Sequence, residues 1–247
     1  MRREADGGTA VRLEALWKVY GADPAEVVAL RDVTVGFGAA EFTAIMGPSG
    51  SGKTTLLQCA AGLVSPTRGT VSFGGTDIAG MRERDLAVLR RRRMGFVFQS
   101  FNLLPSLTGR ENVVLPLQLA GRAVDAAWVD GVLDRTGVRA HADRFPHELS
   151  GGQQQRVAIC RALVTRPEVV FADEPTGALD SRTGEAVLGV LRGAVDELGQ
   201  TVVMVTHEPT AAAHADRVLF LHDGRIAGTL ERPTVESITE RLARTAW

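Results

Sequence analysis

The chain is poor in cysteine, in lysine and in net charge. Its 247 residues contain two cysteines, and of 28 basic residues only Lys18 and Lys53 are lysine. A formal net charge of -1 gives no overall attraction to nucleic acid or to an anionic membrane, so any such contact must come from a local patch. We expect no nucleic-acid partner. Cys59 and Cys160 lie in helix-like runs without CxxC spacing. This pattern indicates small buried side chains in a reducing compartment and no structural zinc.

The sequence also lacks long hydrophobic runs. No stretch approaches the ~18 apolar residues that a membrane-spanning helix needs, and residues 1–10 lack the apolar segment of a secretory signal. We therefore expect a cytoplasmic location. A hydrophobic content of 45% is nevertheless enough to bury a large core, either as one domain or as a core with an added lobe.

The hydrophobic pattern changes along the chain. Period-two runs within 11–37 predict antiparallel strands, and from about 100 to 165 the strand signal gives way to three helical runs. Short apolar runs then alternate with helical segments, as in a parallel α/β sheet. The pattern predicts one domain over 11–230, with an α/β core, an antiparallel β subdomain and an inserted α-helical subdomain. A short helical tail is expected over 231–247.

Local signals predict where several elements begin or end. Thr108 and Glu111 form a capping-box pattern at a helix start, and Pro116 should kink or end that helix. Gly62 is placed as a helix stop. The Asp-Gly pair at 223–224 predicts a hairpin turn.

The segment GPSGSGKT matches the phosphate-binding loop pattern G-x-x-x-x-G-K-[ST]. It follows the β-prone run EFTAIMG and precedes a helical run, which is the order a phosphate site needs. Glycines let backbone N–H groups face phosphate oxygens, Lys53 supplies a compact positive charge, and Thr54 supplies a magnesium ligand. The residues predicted to bind nucleotide here are Gly47, Pro48, Ser49, Gly50, Ser51, Gly52, Lys53, Thr54 and Thr55.

Two adjacent carboxylates follow the apolar run VVFA. Asp173 and Glu174 stand where a parallel strand ends, and ligands of such sheets bind at that edge. Asp173 is predicted to hold magnesium through water, and Glu174 to orient or deprotonate the attacking water. Together with the phosphate loop, these residues predict an NTPase with a P-loop core.

A second glycine-rich helix start occurs in LSGGQQQR. Ser150 and Gln153 fit an S-x-x-Q capping box, so a plain helix N-terminus is one interpretation. Gly151 and Gly152 expose backbone N–H groups that such a cap does not require, and a bare helix start binds anions. Because the helical insert separates this segment from the phosphate loop, we interpret it as a site for the γ-phosphate held by another copy of the chain.

Six features follow one another along the chain: GPSGSGKTT, Gln99 after MGFVF, LSGGQ, VVFADEPT, ALD and TVVMVTH. In this order they resemble the ATP-binding subunit of ABC transporters, and the resemblance covers about residues 11–230. The resemblance implies a RecA-like P-loop core and a homodimer with ATP and Mg²⁺ at its interface. It implies that Tyr20 stacks on adenine and that Gln99 contacts magnesium and water. It also implies that Asp180 crosses the dimer interface and that His207 holds the γ-phosphate.

Each of these implied roles has a simpler alternative from the residues alone. Tyr20 could be a core aromatic, Gln99 a loop amide, and His207 a surface cap on the following helix. The apolar segment FNLLPSL after Gln99 fits either an exposed patch that awaits a partner or packing within the helical lobe.

Longer segments such as FPHELSGGQQQRVAI and FADEPTGALDSRTGE are similar to the macrolide-export, lipoprotein-release and division-associated ATPases. This branch implies an exporter ATPase that drives separately encoded transmembrane permease subunits from the inner face of the membrane. Two alternatives stay open. ATP could power a mechanical signal across the membrane without transport, or the chain could be a soluble ABC ATPase that acts on nucleic acid.

Overall fold

The structure is a computed structural model that describes residues 8–21 and 25–244, and within these ranges ten strands form two sheets. Residues 245–247 of the predicted C-terminal tail lie outside the described residues. The strands are β1 Thr9–Tyr20, β2 Val27–Gly38, β3 Phe42–Met46, β4 Arg68–Phe73, β5 Thr76–Asp77, β6 Met94–Phe98, β7 Val169–Asp173, β8 Thr201–Val205, β9 Arg217–His222 and β10 Arg225–Glu231. The helices are α1 Lys53–Ala60, α2 Glu83–Arg93, α3 Gly109–Leu119, α4 Ala126–Arg135, α5 Gly151–Leu163, α6 Ser181–Leu198, α7 Pro209–Ala212 and α8 Val235–Arg244.

The larger sheet has the strand order β10-β9-β3-β8-β7-β6, and all its pairs are parallel except β9 with β10. Its central strands β3 and β8 are buried along their whole length, as expected for a sheet covered on both faces. Successive side chains of β7 point to opposite faces. Val170 and Ala172 therefore enter one hydrophobic core, whereas Val169 and Phe171 enter the other.

The smaller sheet is antiparallel, with the order β2-β1-β4-β5. Val33 and Phe37 of β2 are fully buried, and Val35 between them is partly buried against the same core, which confirms the period-two prediction for these three residues. They share a hydrophobic core with Ile45 of β3 and Leu56 of α1. The antiparallel sheet therefore covers one face of the parallel sheet and packs on the helix that follows the phosphate loop.

The three helices predicted between about 100 and 165 are present as α3, α4 and α5. The capping box of Thr108 and Glu111 is formed, but α3 continues through Pro116 to Leu119, so the prediction that Pro116 could end this helix is wrong. A proline inside a helix costs about 3 kcal/mol. Three buried side chains of α3, each contributing roughly 1.5–3 kcal/mol, outweigh that cost. They are Val113, Val114 and Leu117.

Two smaller predictions, for a hairpin turn and for the cysteines, are confirmed elsewhere in the chain. Asp223 and Gly224 both have positive φ, 43° and 73°, and join β9 to β10 as a hairpin. Cys59 and Cys160 are buried and unpaired, and burial raises the pKa of Cys59 to about 11 and that of Cys160 to about 12. No helix within 8–21 and 25–244 combines the length and apolarity that a membrane crossing requires.

Four adjacent parallel strands end at the same edge of the larger sheet. β3 leads to the phosphate loop, β8 to His207, β7 to Glu174 and β6 to Gln99. Because parallel strands present their carboxyl ends together, this single edge collects residues that are far apart in the sequence.

Candidate functional site

The phosphate loop adopts a backbone that requires glycine. Gly47, Gly50 and Gly52 have φ of 155°, 79° and 99°. A Cβ at Gly47 would lie 2.0 Å from the carbonyl oxygen of Leu221, and one at Gly52 would lie 2.4 Å from that of Ala29. Helix α1 begins without a side-chain cap and without an acidic residue in its first turn. Its first N–H groups are therefore available to an anion, and the helix dipole favours negative charge there.

The ammonium group of Lys53 is folded back into this loop. Nζ donates to the carbonyl oxygens of Gly47 at 2.9 Å and Pro48 at 2.8 Å, and only 9% of the residue is exposed. Desolvation lowers the pKa of Lys53, while the charges of Glu174 and Asp173 act in the opposite direction. The ammonium group supplies a compact positive charge in the loop that precedes the bare N-terminus of α1, and both attract a phosphate group.

Thr54 and Asp173 come together across the gap between α1 and β7. Thr54 Oγ1 donates to Asp173 Oδ1 over 3.3 Å. Desolvation raises the pKa of Asp173, and the charge of Glu174 adds to this effect, whereas the bond from Thr54 and the charge of Lys53 oppose it. A hydroxyl beside a carboxylate provides the hard oxygen ligands that magnesium prefers.

Glu174 occupies an uncommon backbone conformation directly after β7. Its φ is 47°, and its N–H donates to the carbonyl oxygen of Val205 at 2.9 Å. Non-glycine residues in the left-handed region are concentrated at functional sites, where the surrounding structure enforces them. The strained turn directs the Glu174 side chain to His207, whose Nδ1 lies 2.7 Å from Glu174 Oε2.

Gln99 approaches the same position from β6. A Cβ placed on Gly177 would lie 2.8 Å from Gln99 Nε2 and 3.3 Å from Glu174 Oε2, so both side chains border this glycine. The structure therefore brings Gln99, Glu174 and His207 together. His207 does not cap the next helix, because Glu208 is the N-cap residue of α7.

The LSGGQ segment forms the N-terminus of α5, with the predicted capping box. Ser150 Oγ accepts from Gln153 N over 3.4 Å, and Ser150 N donates to Gln153 Oε1 over 2.9 Å. Gly152 packs tightly, since a Cβ there would lie 2.0 Å from Thr183 Cγ2. Helix α5 packs on α3, α4, α6 and β6, whereas α1 packs on β1, β2, β7 and β8. The two glycine-rich helix starts therefore belong to different layers of the molecule.

The remaining predicted residues lie outside this cluster. Tyr20 is 39% exposed at the end of β1, with Lys18 Nζ 4.8 Å from its ring centre, so it is not a core aromatic. Asp180 is the N-cap of α6, and its Oδ1 accepts from Thr183 N over 3.0 Å. Hydrogen bonding from the side chain of Thr183, and then from its backbone, holds the pKa of Asp180 below its usual value.

Sequence reasoning assigned no role to Gln155, which the structure places next to the site. Its side chain is fully buried and donates to backbone carbonyls beside Gln99 and Glu174. The available signal was a polar residue on a helix face that also carries Ala158 and Ile159, both of which are fully buried. That signal alone does not reveal which backbone groups the amide reaches.

A phosphate loop at the carboxyl edge of a parallel sheet, with Asp173 and Glu174 on a nearby strand, defines a P-loop nucleotide-binding protein. The family model described as ABC transporter matches residues 30–177. The chain belongs to the ABC transporter family, as an ATP-binding domain.

Several known proteins are similar over most of this chain. An uncharacterized ABC transporter ATP-binding protein of Methanocaldococcus jannaschii is 42% identical over 90% of this chain and 100% of its own length. The lipoprotein-releasing system ATP-binding protein LolD of Bordetella pertussis is 43% identical over 92% of this chain and 99% of its own length. The macrolide export ATP-binding/permease protein MacB of Syntrophobacter fumaroxidans is 44% identical over 87% of this chain but only 31% of its own length. These relatives confirm the resemblance to the macrolide-export and lipoprotein-release branch.

A solved structure confirms the fold. It is the dimeric structure of an ATP-binding cassette in a post-hydrolysis state bound to ADP and phosphate. Its TM-score is 0.82 at 39% identity, and the match covers 90% of this chain and 98% of that chain.

The raised pKa of Asp173 generates a prediction about stability. The raised pKa means that the folded state holds a proton on Asp173 more tightly than the unfolded state does. The contribution of Asp173 to stability is therefore fully present below the ordinary aspartate pKa of about 3.9, and it is lost as the pH rises through the raised pKa. Asp173→Asn should therefore raise the thermal midpoint of the nucleotide-free protein at pH 7. The gain should disappear as the pH falls towards about 4.

Asp180→Asn is the matched control, because the pKa of Asp180 is lowered. Its substitution should lower the midpoint at pH 7, and this loss should shrink in acid. A lower midpoint for Asp173→Asn at pH 7, measured by calorimetry, would contradict the assignment of Asp173 as a carboxylate that burial disfavours.

Proposed function

We propose that this chain is the ATP-hydrolysing subunit of an ABC exporter, that it works as a head-to-tail homodimer and that it drives separate membrane subunits. The observation that carries the proposal is the shared edge of four parallel strands. There the phosphate loop follows β3, Gln99 follows β6 and His207 lies just after β8. Asp173 is the last residue of β7, and Glu174 follows it.

The phosphate loop fits the triphosphate of ATP. The bare N-terminus of α1 and the backbone N–H groups of the loop would bind the phosphate oxygens, with Lys53 as the cation. Ser51 Oγ is buried and has no hydrogen-bond partner, which leaves a polar atom inside the loop for a ligand. In this proposal all residues from Gly47 to Thr55 line the nucleotide site.

Magnesium fits the pair formed by Thr54 and Asp173, with Gln99 as a further ligand. No group of three or more histidine, cysteine or acidic side chains in the described part of the chain could hold a metal ion by itself. Magnesium commonly keeps several waters and shares its coordination with substrate phosphates, so few protein ligands suffice. When bound, magnesium would neutralise charge that develops on the phosphate oxygens.

Glu174 is the proposed general base. A water attacks the terminal phosphorus of ATP, Glu174 accepts a proton from it, and the bond to ADP breaks to give ADP and phosphate. His207 holds the Glu174 carboxylate through Nδ1, so its other nitrogen is available for the terminal phosphate. Gln99, whose side chain borders Gly177 together with that of Glu174, would orient the attacking water.

The N-terminus of α5 is the proposed second half of the ATP site. Ser150, Gly151, Gly152 and Gln153 present a helix start on a different layer from the phosphate loop of the same copy. A partner copy related by a two-fold axis would bring its own terminal phosphate to this helix start. In such a dimer Asp180 would lie at the interface, and Tyr20, exposed beside Lys18, would stack on adenine.

A groove between α2, α3, α5 and β6 is the proposed docking place for a membrane subunit. Its volume is about 360 Å³, and its lining is both apolar and cationic. Leu104, in the segment after Gln99, is 45% exposed, while Leu103 packs on the core. In the segment FNLLPSL, Leu104 therefore fits the alternative of an exposed patch, and Leu103 fits that of packing within the protein. The proposed position of the protein is peripheral, on the inner face of the cell membrane.

The export direction and the separate membrane subunits are inferred from relatives. The macrolide export relative is named as a combined ATP-binding and permease protein, and this chain matches 31% of its length. The LolD relative is named as the ATP-binding protein of a lipoprotein-releasing system. Because that name describes one component of a system, and the match covers 99% of that protein, the proposal assigns the membrane-spanning role to separate subunits.

Glu174→Gln tests the hydrolytic role. The amide cannot accept the proton of the attacking water, so we expect turnover to fall about 10²–10⁴-fold while ATP binding persists and the dimer stays locked around ATP. Phosphate release and size-exclusion chromatography with ATP measure the two effects. Glu197→Gln, an exposed change on α6, is the control and should retain activity. Wild-type turnover in Glu174→Gln would remove Glu174 from the role of base.

Leu104→Asp tests the docking of a membrane subunit. A charge on this exposed apolar position should weaken an apolar contact without touching the ATP site. We expect several-fold less protein to sediment with membrane vesicles of the source organism, while ATP hydrolysis in solution is unchanged.

Val235→Asp, at a similarly exposed apolar position on α8, should sediment like the wild type. Equal sedimentation of Leu104→Asp would exclude this segment from docking. Copurification of the wild type with nucleic acid instead of membranes would favour the nucleic-acid alternative.

A further inference from the structure

Helix α5, which begins with the LSGGQ segment, contacts the backbone beside Gln99 and Glu174 through one buried amide. Gln155 is fully buried, and its Nε2 donates to the carbonyl oxygens of Phe98 at 3.3 Å and Pro175 at 2.6 Å. Phe98 directly precedes Gln99, and Pro175 directly follows Glu174. A single side-chain nitrogen thus binds the backbone next to both residues.

The orientation of this amide is fixed by its partners. If the amide were turned over, Oε1 would face two carbonyl oxygens, and neither could donate a hydrogen bond to it. In the observed orientation Oε1 of Gln155 is itself buried without a hydrogen-bond partner. A buried unpaired oxygen is unfavourable, so packing alone does not account for a glutamine here. An apolar residue of the same size would lack the two hydrogen bonds that Nε2 donates.

A second contact ties α5 to the segment on the other side of Gln99. Arg161, further along α5, donates to the carbonyl oxygens of Phe101, at 2.7 Å, and Asn102. At the start of the helix, a Cβ on Gly151 would lie 3.6 Å from the Phe101 ring. Helix α5 therefore holds the chain both before and after Gln99.

We propose that Gln155 is a positioning residue for ATP hydrolysis, which fixes the backbone that carries Gln99 and Glu174 relative to the N-terminus of α5. This inference rests on the proposed function. Gln155 lies four residues after Gly151, about one helical turn. When the ATP of the partner copy contacts the start of α5, the Gln155 amide connects that contact to Glu174 of the copy that contains this α5. Phe98 at the end of β6 also pairs with Asp173 at the end of β7, so the backbone bonds between these strands hold the two ends together.

Gln155→Met is the principal test, because methionine keeps the length and volume of the side chain but removes both donated bonds. A small displacement of catalytic groups costs a large factor in rate, so we expect kcat to fall about tenfold or more. The dissociation constant for a fluorescent ATP analogue should stay within about twofold, since the phosphate loop lies on another layer. Dimer formation with ATP in the Glu174→Gln background should also persist.

Gln154→Met is the matched control. Gln154 is the neighbouring residue on α5, and its Nε2 donates to the carbonyl oxygen of Leu149 at 3.1 Å, within the same segment. Its loss should leave kcat within about twofold of the wild type. Gln155→Asn is a second test variant, because it retains an amide that is one methylene too short to reach both carbonyls. Its kcat should lie between those of the wild type and Gln155→Met.

Wild-type kcat in folded Gln155→Met would overturn the inference, and so would a loss that is matched by weaker nucleotide binding or by Gln154→Met. If circular dichroism shows that Gln155→Met does not fold, wild-type kcat in Gln155→Asn overturns it. Retained turnover in Glu174→Gln would instead defeat the proposed function. Loss of turnover in Glu174→Gln with full turnover in Gln155→Met would defeat this inference alone.

Discussion

The burial of opposite charges at one sheet edge is the constraint on which the rest of the structure depends. Lys53 and Asp173 lie at the carboxyl end of the parallel sheet. Desolvation lowers the pKa of Lys53 and raises that of Asp173, so burial favours the neutral form of each side chain. The environment that disfavours these charges also strengthens their attraction to a phosphate group or a metal ion. The fold must therefore hold both groups in place at some expense of its own stability.

The order of the strands meets this constraint. With β8 between β3 and β7, and β6 beside β7, four consecutive strands end at one edge and each supplies a different chemical group. Glycine at position 47 allows the phosphate loop to pass close to β9, since a Cβ there would lie 2.0 Å from the carbonyl oxygen of Leu221. Glu174 holds φ of 47°, and this turn brings its carboxylate to His207. Local strain and tertiary packing thus converge on the same few atoms.

Much of this arrangement was predictable because its signals are local. Apolar runs bounded by glycine gave the strands, and the capping boxes at Thr108 and Ser150 gave two helix starts. Pro116 misled the prediction of a helix end, since helix propensity is a weak term against the burial of neighbouring side chains. The contact of Glu174 with His207 and the reach of Gln155 depend on strand order, which no short stretch of sequence encodes.

The central claim is that one copy contains only half of a working ATP site, and the dependence of specific activity on protein concentration tests it most directly. Turnover per molecule should rise with concentration and level off as a dimer forms, in parallel with the dimer fraction seen by analytical ultracentrifugation with ATP. Full specific activity in a species that stays monomeric on dilution would contradict the claim.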